Sequence, residues 1–284
     1  MSLPTAKVFK WSRKSEWRKT FFDLMDDFAD EQVLVETQKF EKARFSIEDI
    51  SWLNEIISRI KGPQTDVQIR LAERLQKYYD FAIAFHGCRP SSVESYKKQG
   101  LRPSDTNELR RIATELFGDT PRLHESFQEL QNGYGGYESH NNGKIFFSLI
   151  KHTLLNEWNG YLLNGSEFLA AIANRLNVTD KLIGYGKPVI VECLISREQL
   201  DFSFWKSIAA HEIEDVLNKI LFPNAECKRR VSTGFYISSA IPPERLKFHF
   251  PNELVVQTEY FDFDTNQIHR VMERKLCFNQ KVAA

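Results

Sequence analysis

The sequence predicts an α+β fold, with a sheet-bearing domain preceded by a helical extension. Three observations carry that expectation. Up to about Tyr79 the apolar residues recur at steps of three and four, the period of a helix face. At FAIAFHG (81–87) the pattern changes to short continuous apolar runs, the mark of buried strands. Strands then gather at the two ends of the second region with helices between them, which is not the regular alternation of a βαβ array. The expected division is a helical N-terminal region over residues 1–78 and a second domain over 79–284.

In the first region Trp17, Phe21, Leu24 and Phe28 make one apolar stripe. Ser46 with Asp49 resembles a capping box ahead of Ile50, Leu53, Ile57 and Ile60, and Gly62-Pro63 stops that helix. Val67, Leu71, Leu75 and Tyr78 mark a third helix. These stripes read as packing faces. In the second region SSVESYKKQG is a short helix closed by Gly100. From Ser104 to Asn142 the chain is polar and irregular, and a long loop is expected there. GKIFFSL (143–149), KPVIVECLI (187–195), GFYISSA (234–240) and NELVVQTEYFDF (252–263) supply strands, and GSEFLAAIANRL (165–176) a capped amphipathic helix.

Composition bounds the function. The 284 residues carry 38 basic and 38 acidic side chains, so no global field steers the chain to nucleic acid or an anionic membrane. Lys228, Arg229 and Arg230 leave a short basic cluster that suits phosphates. No apolar run is long enough to span a bilayer, and the opening residues lack the apolar core of a secretion signal, so no membrane partner is expected. Cys88, Cys193, Cys227 and Cys277 form no CxxC pair and read as reduced thiols of a cytoplasmic protein. The seven histidines pair neither with each other nor with cysteine at ligand spacing, so no metal is expected.

Three segments carry chemistry. FHGCRPSSVESYKKQGLRP places His86-Gly87 at a strand end, where glycine allows close approach of a ligand to the main chain. GKIFFSL places the ring of Phe146 on a strand, with Thr153, Trp158 and Tyr161 shortly after. TEYFDFDTNQIHRVMERKLCFN carries Glu259 at its second position, with Gln257 two residues before it. Glu253 is a second candidate carboxylate in the same strand region, but it lacks the downstream Gln-Ile and tail.

Taken together, these segments resemble the ADP-ribosyltransferase superfamily, in its poly(ADP-ribose) polymerase-like His-Tyr-Glu branch. The resemblance runs from about Phe81 to Asn279 and is patchy in the middle. Its longest match is Glu259, Tyr260, Phe263, Asp264, Gln267, Ile268, Lys275, Leu276, Phe278 and Asn279. The departure is Phe146, where the family has tyrosine; the π face is kept and the hydroxyl lost. The resemblance implies a split β-sheet core and NAD as substrate, with no metal. It implies that His86 donates a hydrogen bond to the adenosine ribose and that the Gly87 backbone holds the nicotinamide carboxamide. It further implies that Phe146 stacks on nicotinamide, that Thr153 bonds its amide, that Trp158 or Tyr161 closes the other ring face, that Glu259 is the catalytic carboxylate and that Gln257 orients the acceptor. The implied activity is mono-ADP-ribosylation of a macromolecule, protein or nucleic acid, by a toxin or antiviral-defence effector with a neutralising or regulatory protein partner. NAD glycohydrolase and an inactive NAD or ADP-ribose binding module stay open as alternatives.

Overall fold

The computed structural model describes residues 6–25, 31–39, 50–63, 66–132, 141–221, 234–251, 255–256 and 276–277. It is a mixture of helices and a mainly antiparallel sheet, the α+β class that the sequence predicts. The chain forms two compact units, Met1–Ala82 with Ser196–Ser232, and Ile83–Ile195 with Thr233–Ala284. The sequence divides the chain between residues 78 and 79; the first compact unit joins Met1–Ala82 with Ser196–Ser232.

The first unit contains β1 (Val8–Phe9), α1 (Lys14–Met25), α2 (Glu31–Gln38), α3 (Ser51–Lys61) and α4 (Val67–Tyr78). Ser46 and Asp49 lie outside the described residues; the helix they were expected to cap starts at Ser51. Asp66 caps α4, accepting from the N–H groups of Gln68 and Ile69. The apolar stripe Val67, Leu71 and Leu75 is buried, as its spacing demands. It packs against a 20-residue helix, Phe202–Leu221. From that helix Trp205 is fully buried, stacked on Tyr79 and edge-on to Phe9. Aromatic burial of this size supplies several kcal/mol of the unit's stability, roughly 3–5 for a ring of this class. β1 pairs in parallel with Phe81 and Ala82.

In the second unit β2 (Phe81–Cys88) continues into a sheet with β3 (Ile145–Ser148), β4 (Val189–Ser196), β5 (Gly234–Ile237) and β6 (Leu246–His249), in the order β5-β3-β2-β4-β6. The pairs β3–β5 and β4–β6 are antiparallel with four register pairs each. The helix α5 (Glu94–Gln99) ends at Gly100, as expected. The expected loop from Ser104 to Asn142 is instead two helices over most of its length, α6 (Thr106–Phe117) and α7 (Pro121–Asn132), with residues 133–140 outside the described ones. Asp105 caps α6, and Leu109, Ile112, Ala113, Leu116 and Phe117 give it an apolar face. That face meets Leu123, Phe127 and Leu130 of α7 in a core completed by the helix Glu167–Leu176. Dense charge around a narrow stripe hides these helices from a composition-led reading; burial of the stripe settles the conformation. The helix Glu167–Leu176 is present as expected, with Ser166 at its N-cap, although no side-chain capping bond forms.

Candidate functional site

Strand pairing decides which motif residues meet. Between β2 and β3 the described residues have one register pair, Phe85 with Ser148. Between β3 and β5, Phe146 faces Tyr236 and Ser148 faces Gly234. Side chains alternate across a sheet, so Phe85, Gly87, Phe146, Ser148, Gly234 and Tyr236 share one face. His86, Phe147 and Phe235 share the other. Ring contacts agree: His86 lies 6.0 Å from Phe147, and Phe146 lies 5.8 Å from Tyr236.

His86 and Phe146, 60 residues apart in sequence, are nevertheless joined. The His86 Nδ1 lies 2.9 Å from the Phe146 carbonyl oxygen. A carbonyl only accepts, so Nδ1 carries the proton and the neutral ring presents Nε2 as an acceptor. Burial pushes the imidazole pKa below its ordinary value, and the bond to Phe146 opposes that shift without reversing it. With Nδ1 donating to Phe146, the atom that the neutral His86 ring leaves for another partner is the Nε2 acceptor.

The shared face of Gly87 and Phe146 is partly covered by two short helices, α8 (Lys151–Asn156) and α9 (Gly160–Leu163). Thr153 lies in α8, and its carbonyl takes the Trp158 N–H at 2.8 Å. Trp158 presses on β5: a Cβ at Gly234 would stand 2.8 Å from the end of its indole. Tyr161 seats over β2, with its Cβ 3.3 Å from where a Cβ of Gly87 would be. Leu154 and Leu162 complete that contact within a cluster that includes Phe85 and Ile190. Both glycines are therefore docking notches for the α8–α9 segment. The Tyr161 hydroxyl donates to Glu167, and burial with that carboxylate beside it raises the phenol pKa.

Arg89, three residues after His86 in the same segment, is a residue to which the sequence assigns no role. Its guanidinium donates to the carbonyls of Tyr185 at 3.0 Å, Leu162 at 3.2 Å and Ile183, tying the end of β2 to α9 and to the chain before β4. Cys88 and Cys193 are free and buried. Burial pushes the Cys88 thiol up to about 12, so it is no nucleophile at neutral pH.

Glu259, Gln257 and Glu253 lie outside the described residues, as do Cys227 and the cluster Lys228, Arg229 and Arg230. Of the expected strand 252–263, Val255–Val256 (β7) is described; it pairs antiparallel with Leu276–Cys277 (β8) and lies beside α8. Among the described residues no group of three or more His, Cys, Asp or Glu could hold a metal, and no helix is long and apolar enough to cross a membrane.

Searches of protein-family models, curated proteins and solved structures find no match to the chain.

Proposed function

We propose that the chain is a mono-ADP-ribosyltransferase that cleaves NAD and transfers ADP-ribose to a macromolecular acceptor. The observation that carries this reading is the bond between His86 and the Phe146 carbonyl, which unites two motif residues drawn from separate strands. Two further features support it. The β2–β3 ladder is reduced to one register pair beside His86-Gly87, in keeping with a sheet that splits at a ligand cleft. β7, three residues ahead of Glu259 in sequence, lies beside the helix that carries Thr153.

The residues fit the substrate's chemistry. Phe146 is half-buried and offers a π face for the nicotinamide ring. The His86 ring projects from the other face of the sheet than the Phe146 ring, so its Nε2 lone pair is proposed to meet a ribose hydroxyl of a dinucleotide that passes the strand edge beyond the Phe85–Ser148 pair. In the proposed reaction the bond from ribose C1′ to nicotinamide breaks, and nicotinamide leaves with the bonding electrons. Glu259 stabilises the positive charge that develops on the ribose. The acceptor nucleophile forms the new bond at C1′ and loses its proton. A toxin or antiviral-defence role, in the cytoplasm and under a neutralising protein, belongs to the same proposal.

A second reading has its own observation. The α8–α9 segment already packs on the Gly87 side of β2, which suits a module that binds ADP-ribose without gripping nicotinamide. Incubation of the full chain with NAD labelled in the adenylate, followed by nicotinamide assay and fractionation, separates the readings. Nicotinamide release with label in macromolecules supports the transferase. Label in free ADP-ribose alone makes it a glycohydrolase, and binding without release makes it a reader module.

A further inference from the structure

Asn-Gly occurs four times in the chain, at 132–133, 142–143, 159–160 and 164–165. The step is chemically labile because glycine has no side chain to shield its backbone nitrogen, which can then reach the carboxamide carbon of the asparagine before it. Attack needs two freedoms. The carboxamide must turn toward the main chain, and the peptide plane between the two residues must rotate. Hydrogen bonds on either group oppose both.

The described steps differ in these freedoms. At Asn142 the side-chain oxygen accepts from the Thr106 N–H at 3.2 Å, and the Gly143 N–H donates to the Ser104 carbonyl at 2.9 Å. At Asn159 the side chain is buried. Its carbonyl, part of the plane that would have to rotate, accepts from the N–H groups of Leu162 at 2.9 Å and Leu163 at 3.0 Å in the first turn of α9. Asn164 is held through its own N–H, which donates to the Gly160 carbonyl at 2.8 Å. Among the described residues, however, its carboxamide, its carbonyl and the Gly165 N–H have no hydrogen-bond partner. The residue is partly exposed to water. Gly165 has φ +73°, and as a glycine it can take up the compensating change in φ when the plane turns. Gly133 lies outside the described residues.

We propose that Asn164 is a site of spontaneous deamidation, and that the fold leaves it reactive while protecting Asn142 and Asn159. The Gly165 nitrogen, giving its proton to solvent, forms a bond to the Asn164 carboxamide carbon. The bond from that carbon to the side-chain nitrogen breaks, and the nitrogen leaves as ammonia. Water then opens the five-membered imide at one or other carbonyl, giving aspartate or isoaspartate. Both products add a negative charge to the link between α9 and the helix Glu167–Leu176, where Gly165 packs on Arg89, and the iso form adds a main-chain carbon to it. The inference is independent of the transferase reading.

The test is incubation of the native full chain and of the same chain in denaturant, in mildly alkaline buffer, with peptide mass spectrometry over time. Comparing the folded with the unfolded rate at each position removes the influence of neighbouring residues. At Asn164 the two rates are expected to agree within about threefold, since no hydrogen bond has to break. At Asn142 folding is expected to slow the reaction about 5- to 100-fold, the factor for breaking two hydrogen bonds. At Asn159, buried and at a helix start, it is expected to be slowed at least as much. Asn164→Gln, which would need a larger ring, is expected to yield no product at that position. Equal protection at all three positions overturns the proposal, as does product at Asn164 that is aspartate without isoaspartate, because direct hydrolysis then replaces attack by Gly165.

Discussion

Gly87→Ala separates two demands that meet at one backbone position. The added methyl would stand 3.3 Å from Tyr161 Cβ, 3.4 Å from Leu154 Cδ2 and 3.5 Å from Leu162 Cδ2. Carbon pairs prefer about 3.5–4.0 Å, so α9 must retreat by a few tenths of an ångström. Overpacking of this kind costs about 1–3 kcal/mol. The low end applies, since two of the three neighbours are the ends of leucine side chains that rotate. Alanine also restricts the unfolded chain, which returns roughly 0.4–1 kcal/mol. The expected net loss is about 0.5–2 kcal/mol, or a fall in Tm of roughly 1–8 °C for a unit of this size. Thermal melting followed by circular dichroism reads it. Calorimetric titration with NAD reads the second demand: the methyl presses on Tyr161, Leu154 and Leu162 and strains the β2 segment whose backbone is proposed to hold the nicotinamide carboxamide, so affinity is expected to fall. An unchanged or raised Tm refutes the seating of α9 on Gly87. A lowered Tm with unchanged NAD affinity refutes the ligand placement and leaves the packing argument intact.

Glu259→Gln is expected to retain NAD binding and to lower nicotinamide release by about two to four orders of magnitude, the scale of losing one electrostatic group at a developing charge. Glu253→Gln is expected to change it little, and reversal of the two outcomes defeats the assignment. His86 carries a pKa below its ordinary value, so folding favours its neutral form. The stability this contributes is full above the unfolded pKa of about 6.5 and is lost as pH falls through the depressed value. NAD affinity is expected to decline in the same acid window, because a protonated Nε2 no longer accepts a hydroxyl. Denaturation and binding curves between about pH 8 and about pH 5 check both, and affinity that rises on acidification refutes the deduced tautomer. Arg89→Lys exchanges a fork that reaches three carbonyls for a point charge that cannot span them, and is expected to destabilise the second unit by about 1–3 kcal/mol in chemical denaturation.

The parts of this molecule that were legible in sequence are those whose cause is local. The stripe of α4 is a spacing of three and four, and burial of Val67, Leu71 and Leu75 follows from it. The strand FAIAFHG and the glycine stop of α5 are equally short-range. What escaped has a distant cause. The helix Phe202–Leu221 carries Phe204, Trp205, Ile208, Ala209, Ile213 and Leu217 on one buried face; what the spacing does not show is its partner, because Trp205 owes its burial to Phe9 and Tyr79, far away in the chain. Tyr236 reads as one more strand aromatic until the register with Phe146 turns it outward beside Lys144. His86 makes the point most sharply. Its place at a strand end is written in the sequence, and its hydrogen-bond polarity is not, because that polarity depends on which atom meets Nδ1. A water or a hydroxyl there, able both to donate and to accept, would leave the ring either tautomer. A backbone carbonyl from a strand 60 residues away fixes the proton on Nδ1 and leaves Nε2 of the neutral ring as an acceptor, the polarity on which the proposed ribose contact depends.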